Sequence, residues 1–373
     1  MISTIGPRRA VIRVAVLISF AAAVVCVPSA ARATPPSTPA LKTWGATAAI
    51  KAQVVIGNTL YMGGSFTSVV SPDGLTTVTR RHLAAVDLAT GDLLAWAPAT
   101  NGSVDALATD GTNIFVGGGF TTLGGATRSR LGAVDASGAV LPWAAEANDR
   151  VLALHARGST LYVGGSFTML GGQPRNRVGA VTTAGELTDW AADVSDRVKA
   201  ITTTAIGDVV IGGYFDFVNG ETEDHIARLD AATGASLSWG SGSSQEVVGL
   251  VTGSDDNLYV AIAGSGGKVR SWTPDGHHRW TTYADGDVNA VTFYDGQVIA
   301  GGHWIYLNDG LTYMPRLAAL DPATGAVDLT WTPKPNKQIW SFGTDGTTLC
   351  VGGVFTKISR GTYRRVAVFR SSV

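Results

Sequence analysis

The sequence is poor in cysteine, in charge and in apolar runs of helical length. It has 2 cysteines, and only 15% of its 373 residues are charged. Cys26 falls in a segment that we expect to be removed, so no disulfide could form within the mature chain, and Cys350 is expected to be a buried apolar filler. No nucleophile elbow, zinc-binding helix motif or cysteine–histidine metal spacing occurs. These absences weigh against a familiar hydrolase and predict no metal site and no cofactor, although they do not exclude catalysis.

Apolar residues come instead in short runs that are separated by turn residues. The segment 104–143 contains four of them, at residues 104–107, 114–118, 131–134 and 139–143. Each run is about as long as a strand and too short for a helix. The same unit returns six more times along the chain, once in a degraded form.

Glycine pairs and tryptophans mark the repeat. The second run ends on Gly63-Gly64, Gly117-Gly118, Gly164-Gly165, Gly212-Gly213, Gly301-Gly302 and Gly352-Gly353, and the eroded copy reads residues 259–262. The fourth run ends on Trp96, Trp143, Trp190, Trp239, Trp280 and Trp331, and Trp44 precedes the first copy. Spacings of about 40 to 54 residues are typical of four-stranded propeller blades. The sequence therefore predicts an all-β, seven-bladed β-propeller of antiparallel blades.

Residue size within the unit indicates that the first run forms the innermost strand of each blade and the fourth run the outermost. Blades converge on an axis, so inner strands must be narrow and outer strands can carry bulk. The third residue of the first run is small in every copy, namely Ala52, Ala106, Ala153, Ala200, Gly249, Ala290 and Ser341. The glycine pairs of the second run would let neighbouring backbones approach closely. Tryptophan in the fourth run fits the outer edge.

The two ends of the repeat array complement each other. Residues 41–44 match a fourth strand that has no blade before it, whereas the seventh copy supplies only the strands 339–342, 349–353 and 366–369. We therefore expect the N-terminal strand to complete the last blade, which removes two unpaired sheet edges.

The first 33 residues have the pattern of a secretory signal peptide. Arg8, Arg9 and Arg13 precede an apolar core at residues 14–27, and small residues at 31–33 form a cleavage site. The apolar run has about 14 residues, whereas a membrane span needs about 20. Arg8-Arg9 also resembles a twin-arginine signal, so the export route stays open. Residues 34–40 form a Pro-rich spacer, and the propeller would occupy residues 41–373.

The expected mature protein is secreted, either extracellular or associated with the cell wall, and monomeric. Cleavage would remove four arginines and no acidic residue, which changes the net charge from −1 to about −5. This balance argues against nucleic acid and against an anionic membrane surface as partners.

The repeat resembles a known family. Val-Gly-Gly-x-Phe-Thr, then Gly-Gly-x-x-Arg-x-Arg, then a short strand and Asp-x-x-Thr-Gly, is similar to the delta-sixty repeats of secreted bacterial propellers. Kelch-like propellers and fungal cortical polarity-marker propellers are more distantly similar. The resemblance covers residues 41–373, is best at 115–130 and 162–177, and fails in the fifth copy at 264–267. It implies a fold and secretion, and no particular activity.

Two regular polar motifs are given structural interpretations. A basic residue precedes each third strand, at His82, Arg130, Arg177, His225, Lys268, Arg316 and Arg365. A ring of cations for a polyanion is one interpretation. We favour a cross-strand pair with the blade tryptophan, with Arg130 opposite Trp143 and a turn at Ala136-Ser137. The Asp-x-x-Thr-Gly segments at 87–91, 230–234 and 321–325 lack the alternating ligands of a calcium loop, and are better explained as hairpin turns.

The candidate ligand site is the mouth of the central channel. The residues before the first strands are Ala49, Ser103, Arg150, Arg197, Glu246, Asp287 and Gln338. We take the last five as ligand-binding candidates and assign no catalytic residue. Their order predicts two neighbouring cations, Arg150 and Arg197, that face two anions across the opening. Arg150→Ala and Arg197→Ala are therefore expected to abolish ligand binding with little effect on folding.

Two functions of different classes follow from this mouth. The first is a secreted binding or scaffolding propeller that recognises a cell-envelope glycan or a protein partner. The alternative is a secreted carbohydrate-active enzyme, a glycoside hydrolase or lyase, with Glu246 and Asp287 as carboxylates about 5–10 Å apart. The first is favoured because the surrounding positions offer no aromatic platform for sugar stacking beyond Trp340.

Overall fold

The computed structural model describes Met1, Pro39 and residues 41–143, 145–240, 242–264 and 266–370. Apart from Met1 and Pro39, the expected signal peptide and the Pro-rich spacer lie outside the described residues. The chain divides into two compact units, Met1–Arg32 and Ala33–Val373, and the second contains the strands. Among the described residues, no helix is both long and apolar enough to cross a membrane.

The described part of the second unit is built from strands, without helices. Its larger sheets are antiparallel, and we number them one to seven along the chain; within each, the order of strands in space is their order in sequence. Their strands are Ile50–Ile56, Thr59–Gly64 and Leu83–Asp87 (one); Val104–Thr109, Ile114–Gly118 and Leu131–Val134 (two); Val151–Arg157, Thr160–Gly165, Arg177–Thr182 and Leu187–Asp193 (three); Val198–Thr203, Val209–Gly213, Ile226–Leu229 and Ser236–Leu237 (four); Val247–Thr252, Leu258–Ile262, Lys268–Trp272 and His278–Tyr283 (five); Val288–Tyr294, Gln297–Gly302 and Leu317–Leu320 (six); and Ile339–Thr344, Thr348–Gly353 and Val366–Arg370 (seven).

Sheets one, two, six and seven are each extended by a segment that forms a single bridge. In the first three, the chain turns back after its third strand, and the bridges join Val86 to Leu93, Val134 to Val140 and Leu320 to Val327. In sheet seven the bridging residue comes from the other end of the unit, because Leu41 pairs with Val368.

A short ribbon separates the second and third strands of every sheet except sheet five. The ribbon strands are Ser68–Val70 and Thr77–Thr79, joined by Gly45–Ala46; Thr122–Leu123 and Ala126–Thr127; Met169–Leu170 and Gln173–Pro174; Phe217–Val218 and Glu221–Thr222; Tyr306–Leu307 and Thr312–Tyr313; and Lys357–Ile358 and Gly361–Thr362. Most ribbons also bridge the linker that precedes their own sheet, as Thr100 bridges Leu123. The ribbons are thereby fixed against the neighbouring sheet.

The glycine pairs permit close packing between and within sheets. A Cβ on Gly117 would lie 2.5 Å from Val151 Cγ1 of the next sheet. A Cβ on Gly118 would lie 2.1 Å from the carbonyl oxygen of Ser103 in its own sheet. Neither distance is compatible with a side chain, which confirms that the pairs serve close approach.

The repeated tryptophans join neighbouring sheets at their outer strands. Trp96 Nε1 donates to the carbonyl of Asp135 at 3.1 Å, Trp190 Nε1 to that of Asp230 at 2.9 Å, and Trp280 Nε1 to that of Pro322 at 2.9 Å. Each acceptor lies in or beside the hairpin turn of the following sheet. Trp96, Trp143, Trp190, Trp280 and Trp331 are buried, whereas Trp239 is partly exposed. The first four of these pack on an aromatic residue of the second strand, as Trp96 does on Tyr61 with centroids 4.9 Å apart. Small inner residues, close-packed sheets and outer tryptophans define a β-propeller, the class that the sequence predicted.

Four of the arginines before the third strands donate to backbone carbonyls, and the partner expected for the basic residues is wrong. His82, Arg130, Arg177, His225, Arg316 and Arg365 have φ between 66° and 70°, which is uncommon outside glycine. Arg130 Nη1 donates to the carbonyl of Phe120 at 2.9 Å. In sheet three, the Cα partner of Arg177 is Asp193 rather than the tryptophan. The left-handed backbone turns the side chain back onto its own loop instead of across the hairpin.

The turn predictions are confirmed. Gly138 N donates to the carbonyl of Asp135, which places the turn of sheet two at Ala136-Ser137. In the first Asp-x-x-Thr-Gly segment, Asp87 Oδ1 accepts from Thr90 N and Ala89 N, and Gly91 has φ 83°. These bonds lower the pKa of Asp87.

Cys350 lies fully buried in sheet seven, where desolvation raises the pKa of its thiol. It is the apolar filler that the sequence predicted.

Candidate functional site

A cavity of about 710 Å³ opens where the first strands begin. The second residue of every first strand lines it. These residues are Lys51, Asp105, Leu152, Lys199, Val248, Asn289 and Trp340. A deeper cavity of about 210 Å³ continues between the first strands and is lined by the second, third and fourth residue of all seven. We call the wider cavity the mouth.

A repeated irregularity exposes these second residues. In every first strand the register shifts between its first and third residue, for example between Val104 and Ala106. The second residue is therefore left out of the ladder, and such bulges re-aim a side chain. The small third residues, such as Ala106, leave the room into which the second residues project. The candidates predicted from the sequence lie two positions earlier, before each first strand, and of this ring only Trp340 was singled out.

Asp105 joins three sheets at the mouth. Its Oδ1 lies 2.8 Å from Lys51 Nζ of sheet one, and its Oδ2 lies 2.7 Å from Arg150 Nε beside sheet three. Arg150 Nη2 donates to Oδ1 as well, at 2.9 Å. Only 8% of the Asp105 side chain is exposed, which lowers the effective dielectric around the pair.

Glu246 has a similar role between sheets four and five. Its Oε1 lies 3.2 Å from Arg197 Nε and 3.0 Å from Lys199 Nζ. The expected segregation of two cations opposite two anions is therefore wrong, because each arginine has a carboxylate partner in an adjacent sheet. Each carboxylate is shared by two cations. With Asp287 included and Arg197 outside it, the lining of the mouth carries three cations and three carboxylates.

The five candidate residues do not all reach the mouth. Arg150, Glu246 and Asp287 line it, and Asp287 Oδ1 accepts from Gly264 N at 2.9 Å. Arg197 lies outside the lining, with its guanidinium carbon 4.8 Å from the centroid of the Tyr214 ring. Gln338 is also outside the lining, and its carbonyl accepts from Val354 N at 3.0 Å.

Trp340 gives the mouth an aromatic wall. Its side chain belongs to the first strand of sheet seven, lines both cavities and is 41% exposed. The neighbouring Asn289 donates through Nδ2 to the carbonyl of Ile339 at 3.1 Å, which bonds the first strands of sheets six and seven. A partly exposed indole beside hydrogen-bonding groups suits a ligand with one apolar and one polar face.

Two titratable side chains with shifted pKa values lie away from the mouth. Burial, together with Arg157, lowers the pKa of His155 to about 4, and burial beside Glu221 and Asp224 raises that of Glu223 to about 7. Neither side chain lines the cavity. Within the described residues, no group of His, Cys, Asp and Glu is arranged to hold a metal ion. The arrangement can hold a polar ligand by hydrogen bonds, charge and stacking.

Comparison with solved structures supports the fold class. The sequence matches no protein-family model and no curated protein. The structure is similar to the WD40 β-propeller domain of Doa1, with a TM-score of 0.61, 10% identity, and coverage of 91% of this chain and 98% of that one. It is also similar to the computationally designed Ika8 protein, with a TM-score of 0.56, 14% identity, and coverage of 89% and 99%. At such identities the likeness shows the fold alone: the chain is a β-propeller.

Proposed function

We propose that this protein is a secreted β-propeller that binds a cell-envelope glycan at the mouth of its channel. The exposed ring of Trp340 inside the mouth carries this proposal. Sugars present an apolar face of C–H groups and an edge of hydroxyls, and an aromatic ring among polar groups binds both. Lys51, Lys199 and Asn289 lie in the same lining and supply hydrogen-bond donors.

A glycan fits the mouth better than a protein partner. The cavity of about 710 Å³ lies within the range of small-ligand sites, roughly 300–1,000 Å³. A stable protein interface needs about 800 Å² from each partner and is usually flat. Three cations and three carboxylates line the mouth, so its charges balance and select neither an acidic nor a basic ligand.

The alternative is a glycoside hydrolase or lyase that uses Glu246 and Asp287. Both side chains line the mouth, which keeps this function open. Such an enzyme needs one carboxyl group as a proton donor. Glu246 is paired with Arg197 and Lys199, and Asp287 accepts from Gly264 N. Both carboxylates therefore already have structural partners, and binding without hydrolysis is the better-supported function. Release of reducing sugar from a bound glycan, lost in Glu246→Gln, would favour the enzyme.

The proposed architecture is a closed ring of seven blades of the delta-sixty type. The bridge between Leu41 and Val368 supports closure by the N-terminal strand. The glycine pair of sheet seven gives further support, because a Cβ on Gly352 would lie 2.8 Å from Ile50 Cγ2 of sheet one. Gly117 has the same relation to Val151 of its following sheet.

We also propose that the chain is exported and works as a monomer with Thr34 at its mature N-terminus. The support is the sequence pattern of residues 1–33. N-terminal sequencing of exported protein tests the cleavage, and retention of residues 1–33 would contradict it.

The binding proposal is tested with a glycan array followed by calorimetry. Trp340→Ala should weaken binding at least about tenfold, or about 1.4 kcal/mol, whereas Trp340→Phe should retain most of it. Tyr214→Ala is the control, because Tyr214 is a similarly exposed aromatic residue outside the lining. Equal affinity of wild type and Trp340→Ala would exclude the mouth as the binding site.

A further inference from the structure

The ribbon of sheet six carries two exposed tyrosines that face each other. Tyr306 pairs with Tyr313, their ring centroids are 5.6 Å apart, and the residues are 40% and 55% exposed. The other described ribbons have no aromatic pair at these positions, where they place Ser68 with Thr79, Thr122 with Thr127, Met169 with Pro174, Phe217 with Thr222 and Lys357 with Thr362. The propeller fold therefore does not require aromatic side chains here.

Tyr283 extends this surface toward sheet five. It is 43% exposed, and its carbonyl accepts from Asn308 N of the ribbon loop at 2.8 Å. Asp285 Oδ1 accepts from Ile305 N at 2.8 Å and from Tyr306 N at 3.0 Å, which fixes the ribbon to the linker. We call Tyr283, Tyr306 and Tyr313 the tyrosine patch. Its backbone is held by hydrogen bonds on both sides, so the rings are presented from a fixed base.

The linker connects the patch to the mouth. Residues 283–287 run from Tyr283 to Asp287, which lines the mouth. Four residues span at most on the order of 13 Å, and the bend at Asp285-Gly286 makes the separation shorter. Asn289 and Trp340 lie on the same side of the mouth, in the first strands of sheets six and seven. Aromatic and polar groups therefore form a track from Trp340 over sheet six to the tyrosine patch.

The size and chemistry of the patch favour a saccharide as its occupant. Three tyrosines offer at most about 150–250 Å² each, less than the roughly 800 Å² that a stable protein interface takes from each partner. Tyrosine combines a ring face with a hydroxyl, which suits the two faces of a sugar. Lys334 Nζ lies 5.4 Å from the Tyr313 ring centroid, so its amino group is a hydrogen-bond donor at the edge of the patch.

We propose that the tyrosine patch is a second saccharide subsite, and that the ligand is a linear polysaccharide that runs from Trp340 to the patch. This inference rests on the proposed function, because it extends the ligand at the mouth outward. The protein would then distinguish saccharides by the number of sugar units they contain. Short fragments occupy the mouth alone, whereas longer fragments gain the contact with the tyrosines.

The test measures affinity against fragment length. The probes are β-1,4-linked glucose and N-acetylglucosamine oligomers, from disaccharide to octasaccharide, whose flat rings can stack on aromatic side chains. The test variant, Tyr306→Thr with Tyr313→Thr, introduces the residues that sheet two has at these positions, so the ribbon should keep its fold. Phe217→Thr is the matched control, because Phe217 is 50% exposed on the ribbon of sheet four.

We expect wild-type affinity to rise with length until the patch is reached. The double tyrosine variant should bind the disaccharide like wild type and the octasaccharide at least about tenfold more weakly, which corresponds to 1.4 kcal/mol. Phe217→Thr should match wild type for both, and thermal melting should show that all variants fold.

The outcomes separate this inference from the proposed function. If Trp340→Ala loses all binding while the double tyrosine variant keeps the wild-type length dependence, the mouth binds glycan and the patch is not a subsite. If the octasaccharide binds Trp340→Ala but not the tyrosine variant, the patch is a site and the mouth is not. If wild type binds neither series, both proposals are wrong in this form.

Discussion

Asp105 and Arg150 are 45 positions apart in the sequence and are joined by two hydrogen bonds, Nε to Oδ2 at 2.7 Å and Nη2 to Oδ1 at 2.9 Å. Bidentate pairs of this kind fix geometry as well as charge. Lys51 binds the same carboxylate from the other side. The charges of the mouth therefore hold adjacent sheets together and present the cavity wall in one arrangement before a ligand arrives.

Removal of the shared carboxylate should destabilise the fold. Asp105→Ala leaves Lys51 and Arg150 without their partner, and we expect the free energy of unfolding to fall by about 2 kcal/mol. Urea denaturation monitored by tryptophan fluorescence measures it. Glu186→Ala is the control, because Glu186 is exposed and should change stability by less than about 0.5 kcal/mol. Equal urea midpoints for Asp105→Ala and Glu186→Ala would mean that the ion pairs of Asp105 do not contribute to stability.

The two arginines should differ in their effect on binding. Arg150 lines the mouth and Arg197 does not, so Arg150→Ala should weaken glycan binding strongly, whereas Arg197→Ala should act only through Glu246. Each change should cost less than about 1 kcal/mol of stability, because both side chains are partly exposed. Calorimetry with the glycan identified on the array decides this. If the variant that combines Arg150→Ala and Arg197→Ala binds with wild-type affinity, neither arginine contributes to binding.

If the N-terminal strand closes the propeller, deletion of residues 34–45 should destabilise all of it. The deletion removes the bridge from Leu41 to Val368, the bond from Thr43 Oγ1 to the Gly91 carbonyl and the bond from Lys42 Nζ to the Thr362 carbonyl. We expect a lower melting temperature for the entire transition. Lys42→Ala, which removes an exposed hydrogen bond and a cation–π contact with Tyr363, should change the melting temperature much less than the deletion does. A truncated protein that melts like wild type would contradict closure by this strand.

Stability should fall in mild acid because of His155. Its Nε2 lies 3.1 Å from Thr203 Oγ1, and burial, followed by the charge of Arg157, lowers its pKa to about 4. An unfolded histidine titrates near 6.5, so the neutral ring stabilises the fold fully above about pH 6.5. That stability is lost as the pH falls toward 4.

The acid effect can be isolated by comparing histidine variants. Between pH 7 and pH 4, His155→Gln should lose less unfolding free energy than wild type, by on the order of 2 kcal/mol. His277→Gln should retain the wild-type slope, because His277 is exposed. Denaturation curves across this pH range are sufficient, and parallel curves for all three proteins would contradict the assignment.

The sequence predicted the fold through residues that repeat. Glycine pairs and tryptophans recur because close approach between sheets and packing at the outer edge recur, and each of these requirements is local to one unit. The same logic found Arg150, Glu246 and Asp287 at the mouth. The prediction failed for Arg197, whose guanidinium stacks on Tyr214 outside the mouth. Nothing in the repeat pattern at Tyr214 indicates this contact.

The sequence by itself determined that the chain forms strands, that these repeat as propeller blades, and that their inner residues are small, since strand length and residue size are read from adjacent positions. Only the tertiary structure decided which side chains meet at the mouth. A register shift of one residue aims Asp105 and Trp340 into the cavity, and it depends on how each first strand pairs with its neighbour. The partners of Asp105 and Glu246 come from other sheets, and such contacts are set by the stacking of sheets rather than by the order of residues.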